Sequence, residues 1–196
     1  MTEGQRIGVL GGTFDPVHNT HLDMARAAVK AADLDRVLFV VAARPPHKRD
    51  HTVASPEARF EMVEAAVAAE PRFEASAVEL GREGPSYTGD TLRELEAKFE
   101  GATFFLIIGL DSLFDLPKWK DPEEILSRAR LLVAPREADG RVIPDSLEGK
   151  YSFIPFEESA VSSTEIRDRI AQEQSIANLV PDSVANLIAR KSIYHA

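Results

Sequence analysis

Short apolar runs alternate along this chain with stretches in which apolar residues recur every three or four positions. The runs are the mark of strands buried on both faces, and the spaced pattern is the mark of amphipathic helices. Ile7 to Leu10 is the first run; it ends in Gly11-Gly12 and predicts a buried strand entering a tight turn. After Pro16 the period changes. Val17, Leu22, Met24, Ala25, Ala28 and Val29 predict a helix from near His18 to about Ala32. Val37 to Ala43 predicts a second strand, which completes a right-handed strand–helix–strand unit. Ser55 to Glu70 predicts a helix with Ser55 as N-cap, Pro56 in its first turn, and Phe60, Met62, Val63, Ala66 and Val67 on the inner face.

Phe73 to Leu80 alternates as a strand with one more exposed face does. Ser86 to Leu92 opens a helix that reaches about Phe99, with Thr88 or Asp90 as its cap. Thr103 to Ile108 predicts a central strand, Arg130 to Pro135 a fifth, and Tyr151 to Pro155 a short last one; Glu137 to Gly149 reads as surface loop. A helix capped by Ser162 or Ser163 follows, with Ile166, Ile170 and Ala171 inward, and Val180 to Tyr194 gives an amphipathic helix and tail. This order predicts an α/β fold: a Rossmann-like, mostly parallel sheet of five to six strands with helices on both faces. A chain of 196 residues fits a single domain, residues 1–196.

Composition narrows the function. The 44% hydrophobic and 28% charged residues are those of a globular chain, and the net charge of −9 argues against a general binder of nucleic acid or anionic membranes. A small phosphorylated ligand stays open, because local charge decides that. There is no Cys, hence no disulfide framework and no Cys-based zinc site, and no other metal-ligand cluster is visible. No basic-then-apolar leader and no apolar run near 18 residues are present, so a cytoplasmic location is expected. A homo-oligomer is compatible with all of this.

Candidate chemistry gathers at the strand ends. Gly11, Gly12, Thr13 and Phe14 join a strand to a helix N-terminus, which is a phosphate cradle: glycines admit close approach, and free N–H groups and the helix dipole attract anions. No Gly-Lys-Ser/Thr closes the loop, and Gly11-Gly12 does not continue into the dinucleotide fingerprint. Instead His18 and His21 lie three apart, on one face, able to direct ring N–H groups at a single oxyanion. Arg44 to His51 breaks regular structure with Pro45-Pro46 and carries five cationic or potentially cationic side chains, Lys48 among them; it reads as a phosphate-binding loop. Asp111 follows a strand end and either caps the next helix, bonds ribose hydroxyls, or both. Trp119, the single Trp, sits between Lys118 and Lys120 after a proline. It is either packing over a helix end or a plate for a flat ring.

Gly11-Gly12-Thr13-Phe14-Asp15-Pro16-x-His18-x-x-His21 resembles the signature of the nucleotidyltransferase superfamily, and in this form that of bacterial nicotinate mononucleotide adenylyltransferases. Pro-Pro-His-Lys at 45–48, Tyr87-Thr88-x-Asp90-Thr91-Leu92, and Ser162-Ser163-Thr164-x-Ile166-Arg167 match the same family, so the resemblance spans nearly the whole chain. It departs at Thr20, where the family has Gly; a side chain there is expected to crowd the adenine or shift the helix start. Gly89 replaces a β-branched residue, and Leu110 a smaller one.

The resemblance implies adenylyl transfer from ATP, carried with Mg²⁺, to nicotinate mononucleotide, giving the dinucleotide and pyrophosphate in NAD biosynthesis. His18, His21 and Arg167 would be catalytic. Ser162, Ser163 and Thr164 would hold the β- and γ-phosphates, and Lys48 and Arg136 the mononucleotide phosphate. The amides near Thr88 and Gly89 would receive the pyridine carboxylate, and Trp119 would stack on the ring. Rival readings are a related adenylyltransferase, for example one acting on phosphopantetheine, and a non-catalytic nucleotide-binding regulator.

Overall fold

The structure, a computed structural model, describes residues 4–44, 53–136, 141–157 and 161–194. Six strands form one sheet: β1 (Arg6–Gly12), β2 (Arg36–Val41), β3 (Phe73–Ser76), β4 (Thr103–Gly109), β5 (Ala129–Ala134) and β6 (Tyr151–Phe153). Their order is β3-β2-β1-β4-β5-β6 and every pairing is parallel. The helices are α1 (Asn19–Ala32), α2 (Pro56–Val67), α3 (Thr88–Lys98), α4 (Leu110–Asp115), α5 (Pro122–Arg128), α6 (Ser163–Ala171) and α7 (Asp182–Lys191). The sequence-based fold class therefore holds, with six strands and with all of them parallel.

Successive strand residues go to opposite faces, so each apolar run feeds two cores. Val37, Phe39 and Val41 with Phe105 and Ile107 pack beneath α1, α2, α6 and α7. Leu38 and Val40 with Phe104, Leu106 and Ile108 pack beneath α3, α4 and α5. Strand order reverses direction between β1 and β4, and the crevice outside their carboxyl ends is where such sheets bind ligands. No described helix is long and apolar enough to cross a membrane.

Several boundaries differ from the sequence pattern for identifiable reasons. Gly11 and Gly12 belong to β1, because they pair with Val40 and Val41 and the Gly12 carbonyl accepts the Ala42 amide at 2.9 Å. A Cβ on Gly12 would lie 2.8 Å from the Phe14 ring, so this position must be glycine for the loop to fold back over it. The third strand stops at Ser76: the Leu80 amide turns back to the Ala77 carbonyl, and Glu79 goes inward. Helix α3 is preceded by Tyr87, and neither Thr88 nor Asp90 caps it, since both are already helical. The short helices α4 and α5 were not separated in the pattern of the chain. Leu147, inside the stretch read as surface loop, is 2% exposed and plugs the second core.

Candidate active site

Strand β1 delivers the Thr13–Val17 loop to the switch point. Phe14 has φ 50°, left-handed for a bulky side chain, and the Asp15–Pro16 peptide is cis. The Phe14 ring is buried and meets the His21 ring edge-on, centroids 5.0 Å apart. The loop is held from within. Asp15 is 4% exposed, and its carboxylate accepts the Val53 amide at 2.8 Å, the Ala54 amide at 3.1 Å and the Tyr194 hydroxyl at 2.7 Å. Arg59, 1% exposed, donates to the carbonyls of Thr13 at 2.6 Å, Ala42 at 2.8 Å, Ala54 at 3.3 Å and Ala43 at 3.4 Å. A planar fork of donors is the side chain that can gather carbonyls from three segments at once.

Helix α1 opens at this loop with His18 as N-cap. The His18 amide donates to His21 Nδ1 at 3.2 Å, and the His21 amide to the His18 carbonyl at 3.0 Å. Because its Nδ1 accepts, a neutral His21 carries its proton on Nε2. The two rings lie 3.8 Å apart. Burial lowers the His18 pKa from 6.5 to about 4, so His18 is a neutral hydrogen-bond donor at neutral pH rather than a cation. Among the described residues its Nδ1 is buried without a hydrogen-bond partner. Thr20 does not displace the helix start, which remains at Asn19; its side chain contributes to the cavity wall, with Oγ1 enclosed and unpartnered.

This arrangement has a consequence for stability. An unfolded His18 binds a proton below pH 6.5 that the folded one refuses until about pH 4. Stability is therefore full above pH 6.5 and falls as the pH drops through that window, by on the order of 3 kcal/mol in all. Urea unfolding at pH 7 and pH 4.5 should show this slope, and His18→Asn should flatten it; equal slopes in the two proteins would mean that His18 titrates normally.

Helix α6 faces α1 across the loop. Ser162 caps it, accepting the Glu165 amide at 3.1 Å, while the Ser163 hydroxyl donates to the Pro16 carbonyl at 2.9 Å. Arg167 donates to the Asp15 carbonyl at 2.8 Å and to Thr164 Oγ1 at 3.3 Å. The helix start and its guanidinium are thus fastened to the Thr13–Val17 loop from the other side.

The far wall is the start of α3 with the ends of β4 and β5. Among the described residues no side chain caps α3, which leaves its first amides open to an acceptor. Behind it Glu79 is 6% exposed and accepts from Thr91 Oγ1 at 2.5 Å; burial pushes its carboxyl up. Asp111 does not cap α4, whose N-cap is Gly109; it lies in the first turn and accepts from Arg136 at 2.7 Å and also from Arg141. Its partial burial opposes ionisation, but the hydrogen bonds from Arg136 and Arg141 outweigh this and hold its carboxyl below the usual range. Trp119 follows a short 3-10 turn, Leu116–Lys118, and is half-buried against the second core while its remaining surface lines the cavity.

All of these surfaces enclose one cavity of about 760 Å³, within the range of small-molecule sites. The sequence-nominated residues Gly11, Gly12, Thr13, Phe14, His18, His21, Thr88, Asp111, Trp119, Arg136, Ser162, Ser163, Thr164 and Arg167 all line it. Gly89 does not: it is buried, with Glu124 and Ile125 beside it. Lys48 and the rest of residues 45–52 lie outside the described residues. Arg136 and Asp111, nominated for two different groups of the ligand, are paired with each other. Asp15, Arg59, Glu79, Thr91 and Tyr194 were missed. Asp15 and Thr91 lie inside the matched motifs without having been singled out; of the others only Arg59 left a usable signal, since it precedes Met62, Val63 and Ala66 by three, four and seven positions and so shares their buried face.

At Gly11 a Cβ would meet nothing within 4 Å, because the position opens on the cavity. Gly11→Ala should leave the unfolding midpoint within about 0.5 kcal/mol of the original, yet weaken nucleotide binding several-fold, as read by titration calorimetry. Full-strength binding would place the nucleotide elsewhere in the cavity.

Comparison with known proteins agrees with this architecture. Residues 9–169 match the model of the family described as cytidylyltransferase-like. A protein of Thermus thermophilus named probable nicotinate-nucleotide adenylyltransferase is 45% identical over 195 residues, covering 96% of this chain and 99% of its own. One of the same name from Dictyoglomus thermophilum is 39% identical over 194 residues, covering 96% and 99%. Among solved structures, the Plasmodium falciparum nicotinic acid mononucleotide adenylyltransferase complexed with NaAD superposes with a TM-score of 0.77 at 18% identity, over 97% of both chains. With two such relatives matched end to end, the chain belongs to the nicotinate-nucleotide adenylyltransferase family of cytidylyltransferase-like proteins.

Proposed function

We propose that residues 1–196 act as one adenylyltransferase unit that joins nicotinate mononucleotide to ATP, releasing nicotinate adenine dinucleotide and pyrophosphate. The observation that carries this reading is the convergence of two helix starts, His18-x-x-His21 and Ser162-Ser163-Thr164, on one cavity whose opposite wall holds Trp119 and the uncapped start of α3. Two anion-binding ends face a plate and a third set of amides, as a triphosphate beside a flat acidic ring requires.

In this reading an oxygen of the mononucleotide phosphate forms a bond to the α-phosphorus of ATP. The bond from that phosphorus to the bridging oxygen breaks, and pyrophosphate leaves with the electron pair. A phosphate monoester has its second pKa near ~6, so the nucleophile is largely deprotonated at neutral pH and needs no general base. The work left to the protein is positioning and charge stabilisation. Neutral His18 and the Nε2–H of His21 donate to oxygens on the α-phosphate. Arg167 and the α6 start, with its three hydroxyl side chains, hold the departing pyrophosphate. Arg136 and Lys48 take the mononucleotide phosphate, Asp111 the ribose hydroxyls, the Thr88 amide at the α3 start the ring carboxylate, and Trp119 the ring face. For Arg136 and Asp111 this requires exchange of their mutual ion pair for ligand contacts. Magnesium, bound by the triphosphate oxygens, would supply charge neutralisation there. Both oxygens of Asp15 and of Asp111 are already engaged by protein donors, which fits an ion held by phosphate oxygens and water. The cytoplasm, where ATP is at hand, is the compartment assigned.

The test is pyrophosphate release with ATP and magnesium on nicotinate mononucleotide, nicotinamide mononucleotide and phosphopantetheine. Release with the acid mononucleotide alone is the expected result. Equal release with the amide would remove the carboxylate contact, and release only with phosphopantetheine would replace the substrate. Nucleotide binding without any release would make the chain a regulator.

A further inference from the structure

The end of the chain is bent back into the phosphate loop. Ser192, with φ of 51°, is the left-handed C-cap that ends α7, and two residues on Tyr194 has φ of 68°, left-handed backbone at a bulky residue, which persists only where the surroundings impose it. What imposes it is visible: the Tyr194 side chain is half-buried beside Met62, and its hydroxyl donates to Asp15 Oδ1 at 2.7 Å. Asp15 then links two sides of the site. Its carboxylate takes Tyr194 and the amides of Val53 and Ala54, and its carbonyl takes Arg167 at 2.8 Å. Asp15 Oδ2 is also 4.0 Å from the Arg167 guanidinium, a contact 5% exposed on the carboxylate side. A buried carboxylate with one donor withdrawn rotates or draws its remaining cation closer.

We propose that Tyr194 is a positioning residue for the reaction: its hydroxyl holds Asp15 so that Arg167 points into the cavity at the leaving pyrophosphate. Burial, and then the hydrogen bond to negative Asp15, push its phenol well above the ordinary value, so it remains a donor throughout the working pH range. Two hydrogen bonds connect residue 194 to the guanidinium, through a loop that also carries His18. The proposal rests on the assignment of Arg167 to pyrophosphate given above.

Tyr194→Phe in the full chain deletes one oxygen and keeps the ring. The expected result is a kcat about tenfold lower, with the KM for the mononucleotide within about twofold, and pyrophosphate binding by calorimetry weakened about tenfold. The control is Ser183→Ala, which removes a hydrogen bond of 2.7 Å from the same carboxyl-terminal segment to the Ala65 carbonyl, away from the loop. It should lower the melting temperature modestly and leave kcat and pyrophosphate affinity unchanged. Equal losses of kcat in the two variants would reduce Tyr194 to a stability role and overturn the proposal, as would a fully active Tyr194→Phe. If the original chain turns over no mononucleotide, the functional reading falls by itself; pyrophosphate binding still decides the role of Tyr194, being weakened by Tyr194→Phe alone if the link to Arg167 exists and unchanged if it does not.

Discussion

Replacing His18 with Ala is expected to lower turnover by about 10²-fold or more, the loss typical of one preorganised donor to a transition-state oxyanion. The expectation follows from where the ring sits. His18 is 6% exposed, its ring centroid 3.8 Å from that of His21 and tilted against it, and it is neutral because of its burial, so it offers a neutral dipole at the cavity wall. Such a donor gains strength as charge develops on the α-phosphate and pays no reorganisation at that moment. His18→Gln retains a donor and should recover part of the loss. Steady-state rates at saturating ATP and mononucleotide measure this, with circular dichroism confirming that α1 still forms. A loss below about threefold in His18→Ala would remove His18 from the chemistry. The site would then depend on His21 and Arg167 alone.

The parts of this architecture that the sequence disclosed are those whose cause is local. The β1 run, the helical spacing after Pro16 and the cap at Ser162 or Ser163 each lie within a few residues of the force that makes them, and each is present in the structure, the cap at Ser162. Where the cause is distant, the pattern misled or was silent. Gly11-Gly12 looks like a turn, and becomes strand because β2 supplies the hydrogen-bonding partners. Ala77 to Leu80 continues an alternating pattern, but the chain turns there because Glu79 is drawn in to Thr91, twelve residues on. Asp15 and Tyr194 meet across 179 positions, and no periodicity within either neighbourhood announces it. Asp111 and Arg136 were each legible as strand-end residues, while their pairing required knowing that β4 and β5 are neighbours.

Arg59 is the strongest instance of a residue whose cost is invisible until its partners are known, and Arg59→Ala should destabilise the protein by about 3 kcal/mol or more. The guanidinium is 1% exposed and makes its hydrogen bonds to four backbone carbonyls rather than to a carboxylate. Burial lowers its pKa, opposed by the nearby charge of Asp15, yet arginine remains charged under any ordinary condition. Deleting it takes the donor from the Thr13 carbonyl in the Thr13–Val17 loop, from Ala42 and Ala43 after β2, and from Ala54 before α2. A buried acceptor left unpaired costs about 1–3 kcal/mol, and several are left together. Water entering the vacated space would recover some of this, but it cannot tie the three segments to one another. Activity should therefore fall along with stability, because the same carbonyls fix the loop that leads to His18. Arg59→Lys, a point donor without the fork, should restore charge and only part of the bonding, and so fall between the two in urea midpoint and in turnover. If Arg59→Lys equalled the original protein in both, the charge rather than the geometry of the fork would be what holds the loop.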